Sequence, residues 1–435
     1  MKSIFKTKML AIAILAALTA CQPEQSQTAK QTMPEGAEKP KKVIDNLEEK
    51  VIAAVGKLDL KQQAETLAKK YIIADLHVDV PYRLENKYED VSKATESGDF
   101  DYPRAKAGGL TAPFMSIYVP AKIEAEGGDS TAVANKLIDS VEAIVKQSPD
   151  KFALAYSVAQ MQENFQKGLI SLPMGMENGS PIAGDLSNLE HFYKRGIRYI
   201  TLSHSLSNHI SDSSYDEKRP NNGLSDFGKE LVMAMNKAGV MVDVSHISDK
   251  AFFDVMEISK VPAIASHSSA RHFTPGFERN MSDEMIEKLA ENGGVIFINF
   301  GSTFVSQKSI ENYNKFKAAR DVFLAQHKLE MDDPKVAEFT QSYRAKTPFE
   351  FANLEVVLDH FDHVVKLVGV EHVGIGSDYD GVGDSLPTGL KDASTYPNLI
   401  QGLLKRGYSE ADIEKILSGN LIRVWEQTEI FAKKY

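Results

Sequence analysis

The chain has 435 residues, 43% hydrophobic and 25% charged, with 28 Gly and 17 Pro, which excludes a disordered, collagenous or multi-span membrane protein. Asp plus Glu number 60 against 50 Lys plus Arg, a net charge of −10, and no basic stripe interleaved with aromatics occurs, which excludes a nucleic-acid partner. An acidic balance suits a bound cation without locating one.

Lys2, Lys6 and Lys8 precede an apolar run, Met9 to Leu18, that ends in Leu18-Thr19-Ala20-Cys21. A positive start, a short apolar stretch and small residues before the break predict an export signal over residues 1–20, too short for a mature bilayer-spanning helix. The tetrapeptide resembles a bacterial lipobox. That implies lipidation of Cys21, the only cysteine, hence a membrane anchor at the mature N-terminus and no intrachain disulfide. Gln22 follows, where an Asp would resemble an inner-membrane retention signal. For a Gram-negative source this predicts an exported lipoprotein of the cell envelope, on the periplasmic side of the outer membrane. Residues 21–42 hold almost nothing apolar and read as a tether, because ordering them would cost more entropy than their burial returns. Residues 43–70 carry helical spacing at Ile44, Leu47, Val51, Ile52 and Val55 and read as a helical lead-in.

From residue 71 a short apolar, β-branched run followed by polar residues and a helical stretch recurs to the end of the chain. Predicted strands are Tyr71–Ala74, Ala112–Val119, Ile170–Met176, Tyr199–Leu202, Val240–Val244, Ala263–Ala265, Val295–Phe300 and Val373–Gly376. Continuous apolar runs of this length suit a parallel sheet buried on both faces. Helical stretches such as Ser187–Arg195, Gly228–Ala238, Asp249–Ser259 and Asp283–Asn292 supply the crossovers. The count predicts an α/β fold, a (β/α)8 TIM-like barrel over residues 71–435, with a helical insertion at about 301–349 near its mouth.

Strand ends deliver the ionisable residues: Asp75-Leu76-His77-Val78-Asp79, Met176-Glu177-Asn178-Gly179, Ser203-His204-Ser205, Asp243-Val244-Ser245-His246, Ser266-His267-Ser268-Ser269 and Ser377-Asp378-Tyr379-Asp380-Gly381. In a barrel these ends converge on one face, where active sites of this architecture lie. Four of the 11 histidines occupy equivalent strand-end positions, which scatter would not produce. Imidazole with carboxylate and no thiolate is a ligand set for zinc or another divalent first-row ion. His77 and Asp79, two apart on a strand, suit one ion; His246 and His267 suit a second; Glu177 can bridge. Two such ions about 3.5–4 Å apart clamp a hydroxide and polarise a carbonyl. His191, His360 and His363 fall on helical stretches, His327 in the insertion and His372 before the last strand, and all read as structural. His360 and His363 stand three apart with no metal-binding partner in view, and His209 and His272 receive no role.

As a set, Asp75-x-His77-x-Asp79, Glu177-Asn178-Gly179, Tyr199-x-Thr201-Leu202-x-His204, Asp243-x-Ser245-His246, Ser266-His267-Ser268-Ser269-Ala270, Arg279-Asn280 and Gly376-x-Asp378-x-Asp380-Gly381 resemble the membrane (renal) dipeptidase family of the amidohydrolase superfamily. The resemblance runs from about Tyr71 to Trp425. It implies a metal-dependent-hydrolase barrel holding two Zn2+ per chain: His77 and Asp79 on one, His246 and His267 on the other, Glu177 bridging, and the bridging water as nucleophile on a dipeptide. It further implies Asp378 as the acid/base carboxylate and His204 as donor to the oxyanion. Arg279 would receive the substrate's free carboxylate, and D-residues would be accepted at the C-terminal position. Relatives are commonly homodimers. Phosphotriester and nuclease relatives of the superfamily usually open with His-x-His, unlike His77-x-Asp79. Alternatives left open are a catalytically silent peptide- or zinc-binding lipoprotein and another amide or lactam hydrolase. Two departures from the family pattern stand out. Gly301 follows Asn299-Phe300 where an aromatic is usual, and Pro275-Gly276 interrupts the loop before Arg279. The insertion after Gly301 is the place for replacement contacts.

Overall fold

Eight parallel strands form one sheet in chain order: β1 (Ile73–Val78), β2 (Leu110–Tyr118), β3 (Met174–Glu177), β4 (Ile197–Thr201), β5 (Met241–Asp243), β6 (Ile264–Ser268), β7 (Val295–Ile298) and β8 (Val373–Ile375). Each neighbouring pair is parallel, as in Met115 opposite Met174 and Ile375 opposite Ile298. These come from a computed structural model that describes residues 59–435. The export signal, Cys21, the tether and most of the helical lead-in lie outside the described residues. No described helix is long and apolar enough to cross a membrane.

The expected α/β barrel is present, and the gap between β8 and β1 is bridged at the C-terminal end. Asp378 N donates to His77 O at 3.1 Å and Asp79 N to Tyr379 O at 2.8 Å. The fully buried Asp75 carboxylate completes the seam by accepting from Ser377 N at 2.9 Å and from the Tyr396 hydroxyl. Inside the barrel, alternate strand residues (Ala74, Leu76, Ala112, Phe114, Tyr199, Met241, Val295, Phe297) form a cluster separate from the larger core under the helices, with Trp425 packed against Phe114. Gly175 leaves room for the Tyr199 ring, since a Cβ there would lie 1.9 Å from it.

Helices Ser130–Gln147, Leu186–Lys194, Asp226–Ala238, Asp249–Ile258, Asp283–Glu291 and Leu354–Val368 cover the sheet. Each starts at an Asp, Ser or Asn (residues 129, 185, 225, 248, 282 and 353) whose side chain accepts a backbone N–H of the first turn. Such a cap contributes about 1 kcal/mol.

Two strand expectations need correction. The predicted run Ile170–Met176 is two strands: Ile170–Leu172 pairs with Phe152–Leu154 in a separate two-stranded sheet, and only Met174–Glu177 joins the barrel. Pro173 lies between them, and having no N–H it cannot continue a ladder on that side; its carbonyl accepts from Met115 N at 2.8 Å. The first run is displaced the other way. β1 extends through Asp75, Leu76 and His77, because the buried polar side chains find partners within the barrel.

Residues 301–349 fold as helices Ser302–Val305, Gln307–His327 and Pro334–Lys346. The two longer ones meet through aromatic contacts, Phe323 with Phe339 at 4.5 Å and Phe316 with Tyr343 at 5.4 Å.

Candidate metal centre

At the C-terminal rim the ionisable strand-end residues meet around one carboxylate. Glu177, at the end of β3, is 4% exposed. Its Oε1 lies 3.2 Å from His246 Nε2, 3.3 Å from His267 Nε2 and 3.4 Å from His204 Nε2, and its Oε2 lies 3.3 Å from His77 Nε2. Asp79, one residue past β1, places Oδ2 3.4 Å from His77 Nε2. Asp378 completes a further group with His77 and Asp79, all three buried and with ligand atoms within 4.8 Å of one another. Several of these residues sit on turns with positive φ: Asn178 at 79°, His246 at 69°, Asp378 at 64° and Asp380 at 67°. Non-glycine residues held there carry strain that surrounding contacts must outweigh, a frequent property of functional sites.

The surrounding hydrogen bonds set the tautomers. The Tyr199 hydroxyl donates to Leu76 O at 2.9 Å, so its oxygen accepts the proton on His77 Nδ1, also at 2.9 Å. The Ser266 hydroxyl donates to Asp243 Oδ2 at 2.6 Å and accepts from His267 Nδ1 at 2.7 Å. Both rings therefore turn an Nε2 lone pair toward Glu177. His246 Nε2 accepts from Arg279 Nη2 at 3.0 Å and also faces His267 Nε2 at 2.8 Å. Two lone pairs at that distance repel, and among the described residues no donor reaches the buried His77 Nε2. Converging lone pairs without protons between them are what divalent cations take, so the residues fit the metal ions read from the sequence.

Charge distribution agrees at Glu177, His246 and His267. Burial opposes ionisation of Glu177, but the His77 and His204 rings overcome it and hold the carboxyl well below the usual range. Burial, then the Arg279 charge and His204, drives His246 well below the ordinary imidazole value; burial, then His77 and Arg279, does the same to His267. Neutral imidazoles and an ionised carboxylate are the protonation states that ligate. His77 runs the other way: burial alone would lower it, but Tyr199, Glu177 and Asp79 hold its imidazole well above the ordinary value, so it must release a proton to ligate. Burial and then the neighbouring Asp79 carboxylate push Asp378 up to about 8.

Every site residue singled out in the sequence among the described residues lies at this rim. Arg279 is 3% exposed, donating to Ser268 Oγ at 2.8 Å and His267 O at 2.7 Å. Its guanidinium lies 5.4 Å from the Phe304 ring, in the first turn of the insertion. Phe304 thus stands on the side where Gly301 leaves out an aromatic, and Phe304 O is tied to Asn280 Nδ2 at 2.7 Å. Sequence reasoning assigned no role to Tyr199, Asp243, Ser266 or Asn299, which orient the ligands and Asp378. The signal present was their membership of the motifs.

Removing one such support has a defined consequence. Tyr199→Phe keeps the ring that fills the barrel but deletes the acceptor for His77 Nδ1–H. Metal affinity should fall about 10- to 100-fold, measured by competition with a chelator, with the folded state retained.

An eight-stranded parallel barrel with this rim defines a hydrolase of the metal-dependent barrel type. The family model for membrane dipeptidase (peptidase family M19) matches residues 61–435, and the chain belongs to that family, whose members are metallopeptidases acting on dipeptides. Mouse dipeptidase 3 is 31% identical over 384 residues, covering 86% of this chain and 68% of that protein. A dipeptidase of Schizosaccharomyces pombe, described as uncharacterised, is 29% identical over 384 residues, covering 85% of this chain and 84% of that protein. Among solved structures, a probable dipeptidase, PvdM of Pseudomonas aeruginosa, superposes with a TM-score of 0.75 at 27% identity, covering 86% of this chain and 99% of that one.

Proposed function

We propose that this chain is a zinc-dependent exopeptidase for dipeptides, with His77 and Asp79 holding one ion, His246 and His267 the other, and Glu177 shared. The observation that carries this reading is the convergence of imidazole Nε2 atoms on both oxygens of one buried carboxylate, at 3.2–3.4 Å. Bound there, the two cations supply Lewis acidity, polarising the scissile carbonyl and making water nucleophilic at neutral pH.

The rest falls to side chains of the chain. Asp378 takes the proton of the attacking water and passes it to the departing amine, held for this by Asn299 Nδ2, which donates to its Oδ2 at 2.7 Å. His204, with its side chain 18% exposed and its ring tilted against Tyr118 at 4.8 Å, donates to the oxyanion as it forms. Arg279 binds the substrate's free C-terminal carboxylate, for which its planar fork is suited. A longer peptide offers no carboxylate at that distance, so cleavage is confined to dipeptides. The family resemblance implies that D-residues are accepted at the C-terminal position, so L,L and L,D dipeptides are both taken as substrates in this proposal. The N-terminal segment completes the proposal: an exported protein held at the cell envelope by a lipid on Cys21, facing the periplasm from the outer membrane and paired as a homodimer.

The test combines metal analysis with a panel of L,L and L,D dipeptides. Activity should vanish with chelator and return with Zn2+, at two ions per chain. Turnover that survives exhaustive chelation would overturn the metal assignment, and one hand alone being cleaved would overturn the acceptance of both hands. Arg279→Ala should raise KM for free dipeptides at least about tenfold, the loss of a charge-assisted pair, and erase the preference over C-terminally amidated analogues. An intact preference in steady-state kinetics would contradict the role given to Arg279.

A further inference from the structure

A second group of metal-ligating side chains lies apart from the Glu177 centre and shares no residue with it. His272 stands on the single turn Arg271–Phe273, Asp283 opens the helix Asp283–Glu291, and His363 lies in the helix Leu354–Val368. One ligand atom from each falls within 4.8 Å of the others. His363 Nε2 is 2.7 Å from Asp283 Oδ1, and the His272 and His363 rings stack at 4.4 Å with 21° between planes. We infer that this cluster is a binding site for one divalent transition-metal cation, a place for Zn2+, Ni2+ or Cu2+ distinct from the catalytic ions.

Local structure does not need this arrangement. Ser282 caps the Asp283 helix by accepting from Met285 N, so the Asp283 carboxylate is not committed to the helix backbone. His360, one turn before His363, shows the contrast. It is fully buried, accepts from Ala270 N at 3.1 Å through Nδ1, and reaches Val305 O at 3.0 Å through Nε2, so it is a structural residue as read from the sequence. His363 is different: its partners are a carboxylate 46% exposed and an exposed imidazole, open to an ion from solvent. Two imidazoles with one carboxylate form a donor set of intermediate softness, which selects late first-row ions over Mg2+ or Ca2+. Three protein ligands leave the remaining coordination positions to water. On binding, the ring carries its proton on Nδ1 and turns the Nε2 lone pair to the ion in place of the hydrogen bond to Asp283.

The site has a position that matters. His272 and Asp283 bound the segment that carries Arg279, and His363 belongs to a different layer. An ion held by all three fastens both ends of the Arg279 segment to the helix behind it.

The test is a Zn2+ titration by equilibrium dialysis on the purified protein and on His272→Ala, with Asp283→Asn as a second variant. Because the reading is a difference between proteins, it does not depend on how many ions the Glu177 centre takes. Wild type should bind one equivalent more than either variant. The extra equivalent should raise the melting temperature of wild type only, while all three proteins keep the same kcat on a dipeptide. His272 is exposed, so its truncation leaves folding intact. Equal stoichiometry in wild type and His272→Ala up to millimolar Zn2+ overturns the site, as does an equal rise in melting temperature.

Discussion

Asp378→Asn should lower kcat by about 10²- to 10⁴-fold, the range set by a positioned proton carrier, while the metal content stays at the wild-type level. Asp378 lies beyond β8 at φ 64°, and Asn is among the side chains best tolerated in that left-handed region, so the turn should survive the change. The amide oxygen can still accept from Asn299 Nδ2, which sits 2.7 Å from Asp378 Oδ2 in the wild type. What disappears is the ability to take and return a proton. Without a cation to offset the Asp79 charge, burial and Asp79 push the wild-type carboxyl up to about 8. Steady-state kinetics with metal analysis of the same preparation decides the matter. Ions lost along with activity would make Asp378 a ligand, an option its place beside His77 and Asp79 makes concrete.

Much of this architecture was legible before any coordinates, and the physical reason is periodicity. Strands buried on both faces write themselves as uninterrupted apolar runs, so Val295–Ile298 stands out from the helices around it. The same rule failed at residues 170–176. There two apolar strands of different sheets abut, and no pattern of hydrophobicity says which sheet a strand joins. His77 illustrates a second limit, since polar residues at a strand end look like a loop until their partners are known. The ligand types were readable because barrel geometry brings strand ends together whatever lies between them. The residues that tune them were not. Tyr199 acts on His77 across 122 positions of sequence, and the Asp243 carboxylate acts on His267 through Ser266, contacts that exist only in space. The same holds for His272, Asp283 and His363, which meet only in space, so the sequence read His363 as structural and gave His272 no role.

Glu177→Gln should cost the centre at least one ion and about 10²- to 10³-fold in kcat, the scale of losing a main electrostatic contributor. The amide matches the carboxylate in size, so the Ser116 Oγ contact, 3.2 Å from Oε2, and the packing below it persist. Charge and acceptor capacity do not. One amide group presents a single acceptor oxygen, whereas Glu177 offers Oε1 to His204, His246 and His267 and Oε2 to His77. Turned toward the imidazoles, the amide N–H would instead donate to the lone pairs that hold metal, competing with it directly. A thermal measurement separates this account from simple misfolding. An ion bound only to the folded state and present at about a thousand times its Kd adds about 4 kcal/mol of stability. Chelation should therefore lower the melting temperature of wild type by several degrees and that of Glu177→Gln by much less. In chelator the variant should melt modestly below wild type, because the His77 and His204 rings that hold the carboxyl ionised find no charge in the amide. A variant that instead melts far below metal-free wild type would show that Glu177 holds the barrel rim together by itself, and that metal binding is secondary to its role there.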